Sequence, residues 1–113
     1  MTDTNPAAVL RATTRPTRYA VSCLPDDNID ANLFEITVEY RGANRWAVTR
    51  LGSCLGADGT WARGVKEYDR GDDWLAAHRF DLETALRLAE AAAPHVTVNG
   101  FTVADALRLG ADQ

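Results

Sequence analysis

The sequence predicts an α+β fold, an antiparallel β-meander of about four strands packed against one main helix, with a short C-terminal strand or helix. The segment 33–40 is predicted to be a strand, because apolar and polar residues alternate from Phe34 to Tyr40, which is typical of an antiparallel strand buried on one face. The apolar positions of that alternation are Phe34, Ile36, Val38 and Tyr40. Downstream of Asp81, apolar residues recur at the spacing of an amphipathic helix. Because the sheet and the helix each have one apolar face, we predict that these two faces pack together.

Composition and charge narrow the class of protein. The chain has 113 residues, of which 46% are hydrophobic and 25% charged, as in a single globular domain. Its net charge of −4 argues against a general DNA-binding or membrane-binding surface. It has no apolar run near the roughly 20 residues of a membrane span, so we expect no membrane association. The N-terminus lacks the basic and apolar regions of a signal peptide, so we expect a cytoplasmic protein.

The first 17 residues differ in composition from the remainder. Pro6 and Pro16 interrupt any helix, and the Thr, Asn and Ala around them show no periodicity. The sequence therefore predicts a flexible N-terminal arm over 1–17 and a single α+β domain over 18–113.

Two hairpins form the predicted sheet after a first strand over 19–23 and a turn over 25–32. A loop of Gly42, Ala43 and Asn44, in which Asn44 tolerates the left-handed conformation, sets the register of the first hairpin. The opposed pairs are Tyr40 with Trp46 and Val38 with Val48. The second hairpin has Asp58–Gly59 at its turn and is followed by a polar loop over 66–73.

Residues 74–80 are compatible with two structures. Asp72 or Asp73 would cap a short helix, whereas alternating apolar residues would line a strand; we favour the helix.

The main helix is predicted from its cap and its stripe. Asp81 is a favourable N-cap, and Pro94 ends the helix. Its apolar stripe is Leu82, Ala85, Leu86, Ala89, Ala92 and Ala93.

Beyond the main helix, Val96 and Val98 are predicted to form a strand and Asn99–Gly100 a turn. A return strand or a helix capped by Thr102 then follows, and we favour a terminal helix from about Val103 to Leu109, ended by Gly110.

Cys54 stands in Gly52-Ser-Cys-Leu-Gly56, the spacing of a nucleophile elbow. An elbow requires a helix directly afterwards, but Ala57-Asp58-Gly59 favours a β-turn. We therefore predict that the glycines turn the chain and that Cys54 is a small apolar residue at a strand end, which leaves no catalytic residue. A thiol enzyme, with His78 or His95 beside a cysteine, is kept as an alternative.

Metals and cofactors are not predicted. The chain has two cysteines and two histidines, which could together form a zinc site. They lie 31, 24 and 17 positions apart in the sequence, unlike the close pairs of ligands in structural zinc sites. Cys23 and Cys54 are predicted to be buried thiols, and whether they form a disulfide is left open.

Arginines are the candidate binding residues. The arm is mildly basic whereas the remainder is acidic, which suggests a partner. The candidates are Arg11, Arg15 and Arg18 in or beside the arm, and Arg41 and Arg45 on the first hairpin. A regulator that contacts nucleic acid through this arm is one hypothesis. Trp46 is assigned to the core face, not to a surface on which bases stack.

The runs "RWAVTRLGSCLGADGTW" and "WLAAHRFDLETALRLAEAAAPHVTVNGFT" resemble short proteins of actinobacteria and of their phages and plasmids. No activity is attached to that group, so the resemblance implies a small accessory protein and assigns no residue a role. The leading hypothesis is a non-enzymatic module that binds an unidentified protein through a sheet edge or face, as a regulator or inhibitor. An exposed edge strand is also compatible with a homodimer.

Overall fold

The computed structural model describes residues 10–63 and 71–111, and it is α+β as predicted. A five-stranded antiparallel sheet has the order β1-β2-β3-β4-β5, so each strand pairs with its neighbour in the chain. Its strands are β1 (Arg18–Val21), β2 (Ile36–Tyr40), β3 (Trp46–Arg50), β4 (Ser53–Leu55) and β5 (Trp61–Arg63). The other elements are α1 (Asp72–His78), α2 (Leu82–Ala92), the hairpin β6 (Thr97–Val98) and β7 (Phe101–Thr102), and α3 (Val103–Ala111).

The register of the first hairpin is confirmed. Tyr40 pairs with Trp46 and Val38 pairs with Val48. All three loop residues adopt positive φ angles, 89° at Gly42, 51° at Ala43 and 58° at Asn44. These three left-handed residues reverse the direction of the chain, so that the paired side chains of β2 and β3 lie on the predicted face of the sheet.

The second strand is shorter than predicted. It begins at Ile36, and the preceding residues form a 3-10 turn, Ala31–Phe34. The ladder with β1 starts at the pair Val21 and Ile36, so the residues before Ile36 have no neighbouring strand to continue it. Phe34 still reaches the core, whereas Leu33 is left exposed.

A two-residue turn joins β3 to β4. Leu51 and Gly52 have φ angles of 49° and 82°, and the strands close on the pair Arg50 and Ser53. The second hairpin has its turn at Asp58–Gly59 as predicted, with a positive φ at Gly59. Residues 64–70, which include most of the predicted polar loop, lie outside the described residues.

The segment 74–80 forms a helix, as favoured. However, α1 is capped by the backbone of Gly71, so the predicted capping by Asp72 or Asp73 is wrong. Both carboxylates lie in its first turn, where their negative charge interacts favourably with the positive end of the helix dipole. Phe80 lies beyond the helix and exchanges two backbone hydrogen bonds with Trp46, of 2.7 and 3.0 Å.

The main helix packs on the sheet as predicted. The Asp81 carboxylate accepts a 2.7 Å hydrogen bond from the Thr84 N–H, and the apolar stripe of α2 contacts β1, β2 and β3. The most buried residues of the stripe are Ala85, Ala89 and Ala93. Because alanine is small, the helix backbone lies close to the sheet. Beneath it lie Ile36, Val38, Trp46, Val48 and Leu55.

The C-terminal region combines both predicted alternatives. Asn99 and Gly100 form the turn of the β6–β7 hairpin, and Thr102 then caps α3 through reciprocal hydrogen bonds with Asp105 of 3.0 and 3.1 Å. The predicted end at Gly110 is wrong, because α3 continues to Ala111. Asn28 occupies the space beside Gly110 in which a side chain would lie. A Cβ at Gly110 would be 2.6 Å from the Asn28 Nδ2.

Across the part of the chain that the structure describes, every helix falls short of the length and apolar character that a membrane crossing requires.

Two isoleucines test the core assignment. Ile36 is fully buried, whereas Ile29 is 80% exposed. We expect Ile36→Ala to reduce the free energy of unfolding by about 2–5 kcal/mol, because a cavity remains in the core. The same change at Ile29 should alter it by less than about 0.5 kcal/mol. Urea denaturation measures both, and equal losses would contradict the assigned core.

Asp81 predicts a pH dependence of stability. Hydrogen bonds from Thr84 hold the pKa of Asp81 below its ordinary value. The carboxylate therefore stabilises the fold at neutral pH, and this stabilisation is lost as the pH falls through the folded-state pKa. Asn keeps a capping oxygen but does not titrate, so Asp81→Asn should lose less stability than the parent on acidification. Thermal melts from neutral pH to about pH 2 measure this, and parallel curves would refute it.

Candidate functional site

Cys54 lies within a sheet and not at a nucleophile elbow. It is buried at the centre of β4 and pairs with Thr49 on one side and Ala62 on the other. The residue after Gly56 enters the turn to β5, whereas a nucleophile elbow would continue into a helix at this point. These observations agree with the prediction that Cys54 is a packing residue.

The two histidines have other surroundings. His78 Nδ1 lies 2.7 Å from the carbonyl oxygen of Trp74, and the two rings stack at 4.1 Å. His95 lines a cleft on the helix-bearing face of the sheet. The alternation along β4 directs Cys54 to the opposite face.

Cys23 is exposed, so the prediction that it is a buried thiol is wrong. β1 ends at Val21, and the chain bends at Cys23 and Leu24, where the Ser22 Oγ accepts a 3.1 Å hydrogen bond from the Leu24 N–H. At this bend Leu24 enters the core, whereas Cys23 is left exposed.

The candidate arginines beside the first hairpin are partly neutralised by the protein itself. Arg18 lies 3.8 Å from the Glu39 carboxylate and 3.7 Å from that of Glu35, and Arg41 donates to Glu39 at 2.9 Å. Partial burial opposes the charged form of Glu39, but the hydrogen bond and charge of Arg41 prevail and lower its pKa. The structure thus brings Arg18 and Arg41 together around one carboxylate.

The remaining candidates are more exposed. Arg11 and Arg15 lie in an exposed stretch without helix or strand before β1, and the Arg15 guanidinium is 5.2 Å from the centre of the Tyr40 ring. Arg45 lines a groove of about 410 Å³ together with Arg41 and Arg79. Arg79 is engaged there, because it donates to the His78 carbonyl oxygen at 2.9 Å and lies over the Trp74 ring.

A second group of cations was not singled out as a site from the sequence. We call it the basic cleft, a concavity of about 500 Å³ between the β3–β5 end of the sheet and the C-terminal end of α2. Its polar and aromatic lining is Arg50, Ser53, Trp61, Arg63, His95 and Thr97. Cross-strand pairing places Arg50, Ser53 and Arg63 in a row on one face of the sheet. The row follows from the registers of β3 with β4 and of β4 with β5, neither of which was predicted from the sequence.

A third concavity is apolar. We call it the apolar cleft, a space of about 240 Å³ between the 3-10 turn Ala31–Phe34, the β6–β7 hairpin and α3. Three large side chains on its rim are about half exposed, namely Leu33 at 53%, Phe101 at 52% and Leu109 at 47%. Asp30 also lines it. The sequence pattern assigned Leu33 to a strand and gave no reason to group these three residues.

Among residues 10–63 and 71–111, no group of three or more His, Cys, Asp or Glu side chains is arranged to hold a metal ion. No protein-family model, curated protein or solved structure matches the chain.

The two cysteines should differ in reactivity. We expect an alkylating reagent to modify exposed Cys23 in the folded protein and to modify buried Cys54 only on unfolding, so that Cys54 reacts at least about tenfold more slowly. Mass spectrometry of peptides after timed alkylation measures both rates, with Cys23→Ser as the control. Faster reaction at Cys54 than at Cys23 would support the thiol-enzyme alternative.

Proposed function

We propose that this protein is a non-enzymatic interaction module that binds a basic, amphipathic segment of another protein in the apolar cleft. In this role it would act as an accessory regulator or inhibitor of the phage or plasmid type. The observation that carries the proposal is the grouping of Leu33, Phe101 and Leu109, each about half exposed, around one concavity.

Clustered exposed apolar side chains are costly unless a partner covers them. Single exposed apolar residues are common on soluble proteins, whereas groups that surround a depression mark binding sites. Aromatic and aliphatic residues in such a depression contribute most of the affinity of protein interfaces. Phe101 at the hairpin and Leu109 on α3 supply that type of contact from two different elements.

Charge indicates the chemistry of the partner. Asp30 lines the apolar cleft, and the turn that contains it packs against Gly110 at the end of α3. Asp26 and Asp27 are exposed in the same turn, so the rim on this side is acidic. A segment that presents Lys or Arg next to its apolar residues would complement both the rim and the net charge of −4.

The alternatives have less support. Burial of Cys54 within the sheet favours a packing role over thiol catalysis. The pairing of Arg18 and Arg41 with Glu39 reduces the positive charge available to nucleic acid beside the arm. Arg11, Arg15 and Arg45 are exposed cations, so contact with nucleic acid is retained as an outcome of the experiment below.

Photo-crosslinking tests the proposal. p-Benzoylphenylalanine is introduced at Phe101 in the apolar cleft and, as a matched control, at Glu83 on the exposed face of α2. After irradiation in extract, we expect a protein adduct from position 101 and none from position 83. The crosslinked segment of the partner should contain apolar residues beside Lys or Arg, and a synthetic peptide of that segment should bind. Phe101→Ser should weaken this peptide by about tenfold or more.

Other adducts would contradict the proposal in different ways. A nucleic-acid adduct from position 101 would show that the apolar cleft lies against nucleic acid and not against a protein segment. An adduct of twice the mass of the chain would identify a second copy as the occupant of the apolar cleft. A peptide whose affinity is unchanged by Phe101→Ser would show that this surface is not the binding site.

A further inference from the structure

The basic cleft concentrates positive charge that no carboxylate of the described residues neutralises. Within residues 10–63 and 71–111, the ion pairs of arginines involve Arg18, Arg41 and Arg108, and none involves Arg50 or Arg63. Among the described lining residues of the cleft, none is Asp or Glu. Two uncompensated guanidinium groups on a protein of net charge −4 indicate a local site for an anion.

Arg50 is held in place by the fold. Its Nη1 donates a 3.0 Å hydrogen bond to the Glu35 carbonyl oxygen, which leaves its other N–H groups available. Partial burial lowers the pKa of Arg50, since its charge is removed from water without a carboxylate in exchange. A bound anion would restore the lost electrostatic stabilisation, and a preformed donor loses little side-chain entropy on binding.

The other lining groups suit a phosphate. Arginine presents its N–H groups as a planar fork that engages two oxygens at once, and Arg50 and Arg63 lie on the same sheet face. The hydroxyl groups of Ser53 and Thr97 and an N–H of the His95 ring add further donors. The end of α2 directs carbonyl groups towards this region and opposes an anion. Two full positive charges outweigh the roughly half charge of a helix end.

Trp61 adds a surface for a ring. Its side chain is 38% exposed and lies on the same sheet face as Arg63, two positions away on β5. That spacing corresponds to roughly 6–7 Å along a strand. A sugar bridges a comparable gap between a base and its phosphate, whereas in phosphotyrosine the phosphate is attached directly to the ring. Stacking of a base on an aromatic side chain is favourable for every base.

We infer that the basic cleft binds a nucleoside monophosphate, with the phosphate between Arg50 and Arg63 and the base on Trp61. The volume of about 500 Å³ lies within the usual range for small-ligand sites. This assignment does not depend on the apolar cleft, which is formed by other elements. The same chemistry occurs in a free nucleotide and at the end of a nucleic-acid strand.

Calorimetric titration of the full chain tests the assignment. We expect AMP to bind saturably at one site, and adenosine and inorganic phosphate each to bind at least about tenfold more weakly, because each lacks half of the recognised chemistry. Arg63→Gln should weaken both AMP and phosphate by about tenfold. Trp61→Ala should weaken AMP by a similar factor and leave phosphate unchanged. Arg87→Gln, which removes one exposed arginine outside the cleft, should bind as the parent does.

Circular dichroism melts establish that each variant is folded before it is titrated. A short single-stranded oligonucleotide with a terminal phosphate distinguishes the two sources of ligand, because tighter binding than AMP with the same dependence on Arg63 would identify a strand end. Absence of saturable AMP binding would overturn the inference. So would equal affinities in Arg63→Gln and the parent, or tighter binding of O-phosphotyrosine than of AMP.

Discussion

The packing of a small-residue helix stripe on one apolar sheet face is the constraint on which the rest of the structure depends. Ala85 and Ala89 of α2 lie against a face that includes Ile36, Val38 and Val48, all fully buried. Since alanine brings the helix backbone close to the sheet, the larger side chains must come from the strands. Trp46 supplies the largest of them and contacts the rings of Tyr19 and Tyr40, whose centroids are 5.6 and 5.2 Å away. A change of register by one residue would expose this cluster.

The same packing determines where the concave surfaces form. α2 lies chiefly on β1, β2 and β3, so the helix-bearing face of β4 and β5 borders its end and forms the basic cleft. The chain then turns through a 3-10 segment at Ala93–His95, and the β6–β7 hairpin and α3 meet the turn before β2. That meeting forms the apolar cleft. Both proposed binding surfaces are thus consequences of a helix that is narrower than the sheet it covers.

Charge is distributed differently on the two faces of the sheet. On the face away from α2, Glu39 accepts contacts from Arg18 and Arg41, and the Thr37 and Thr49 hydroxyl groups lie beside it. Arginines there serve mainly the fold. On the helix-bearing face, Arg50 and Arg63 have no such carboxylate among the described residues. The face of the sheet on which an arginine lies therefore decides whether it pairs with a carboxylate of the described residues or can bind a ligand.

The sequence alone determined the elements whose signals are local. Alternation specified β2 and its pairing with β3, and the Asp81 cap with its stripe specified α2, because periodicity and capping depend on near neighbours. It did not predict the 3-10 turn before Ile36, where β1 no longer pairs with the chain, or the exposure of Cys23 at the bend after β1. It also did not predict that α3 continues through Gly110. Only the tertiary structure decided which cations share a cleft and which apolar residues share a rim. Arg50 and His95 line one cleft and Leu33 and Phe101 the other. Each pair is far apart in the chain, so no local sequence pattern could indicate that its members share a cleft.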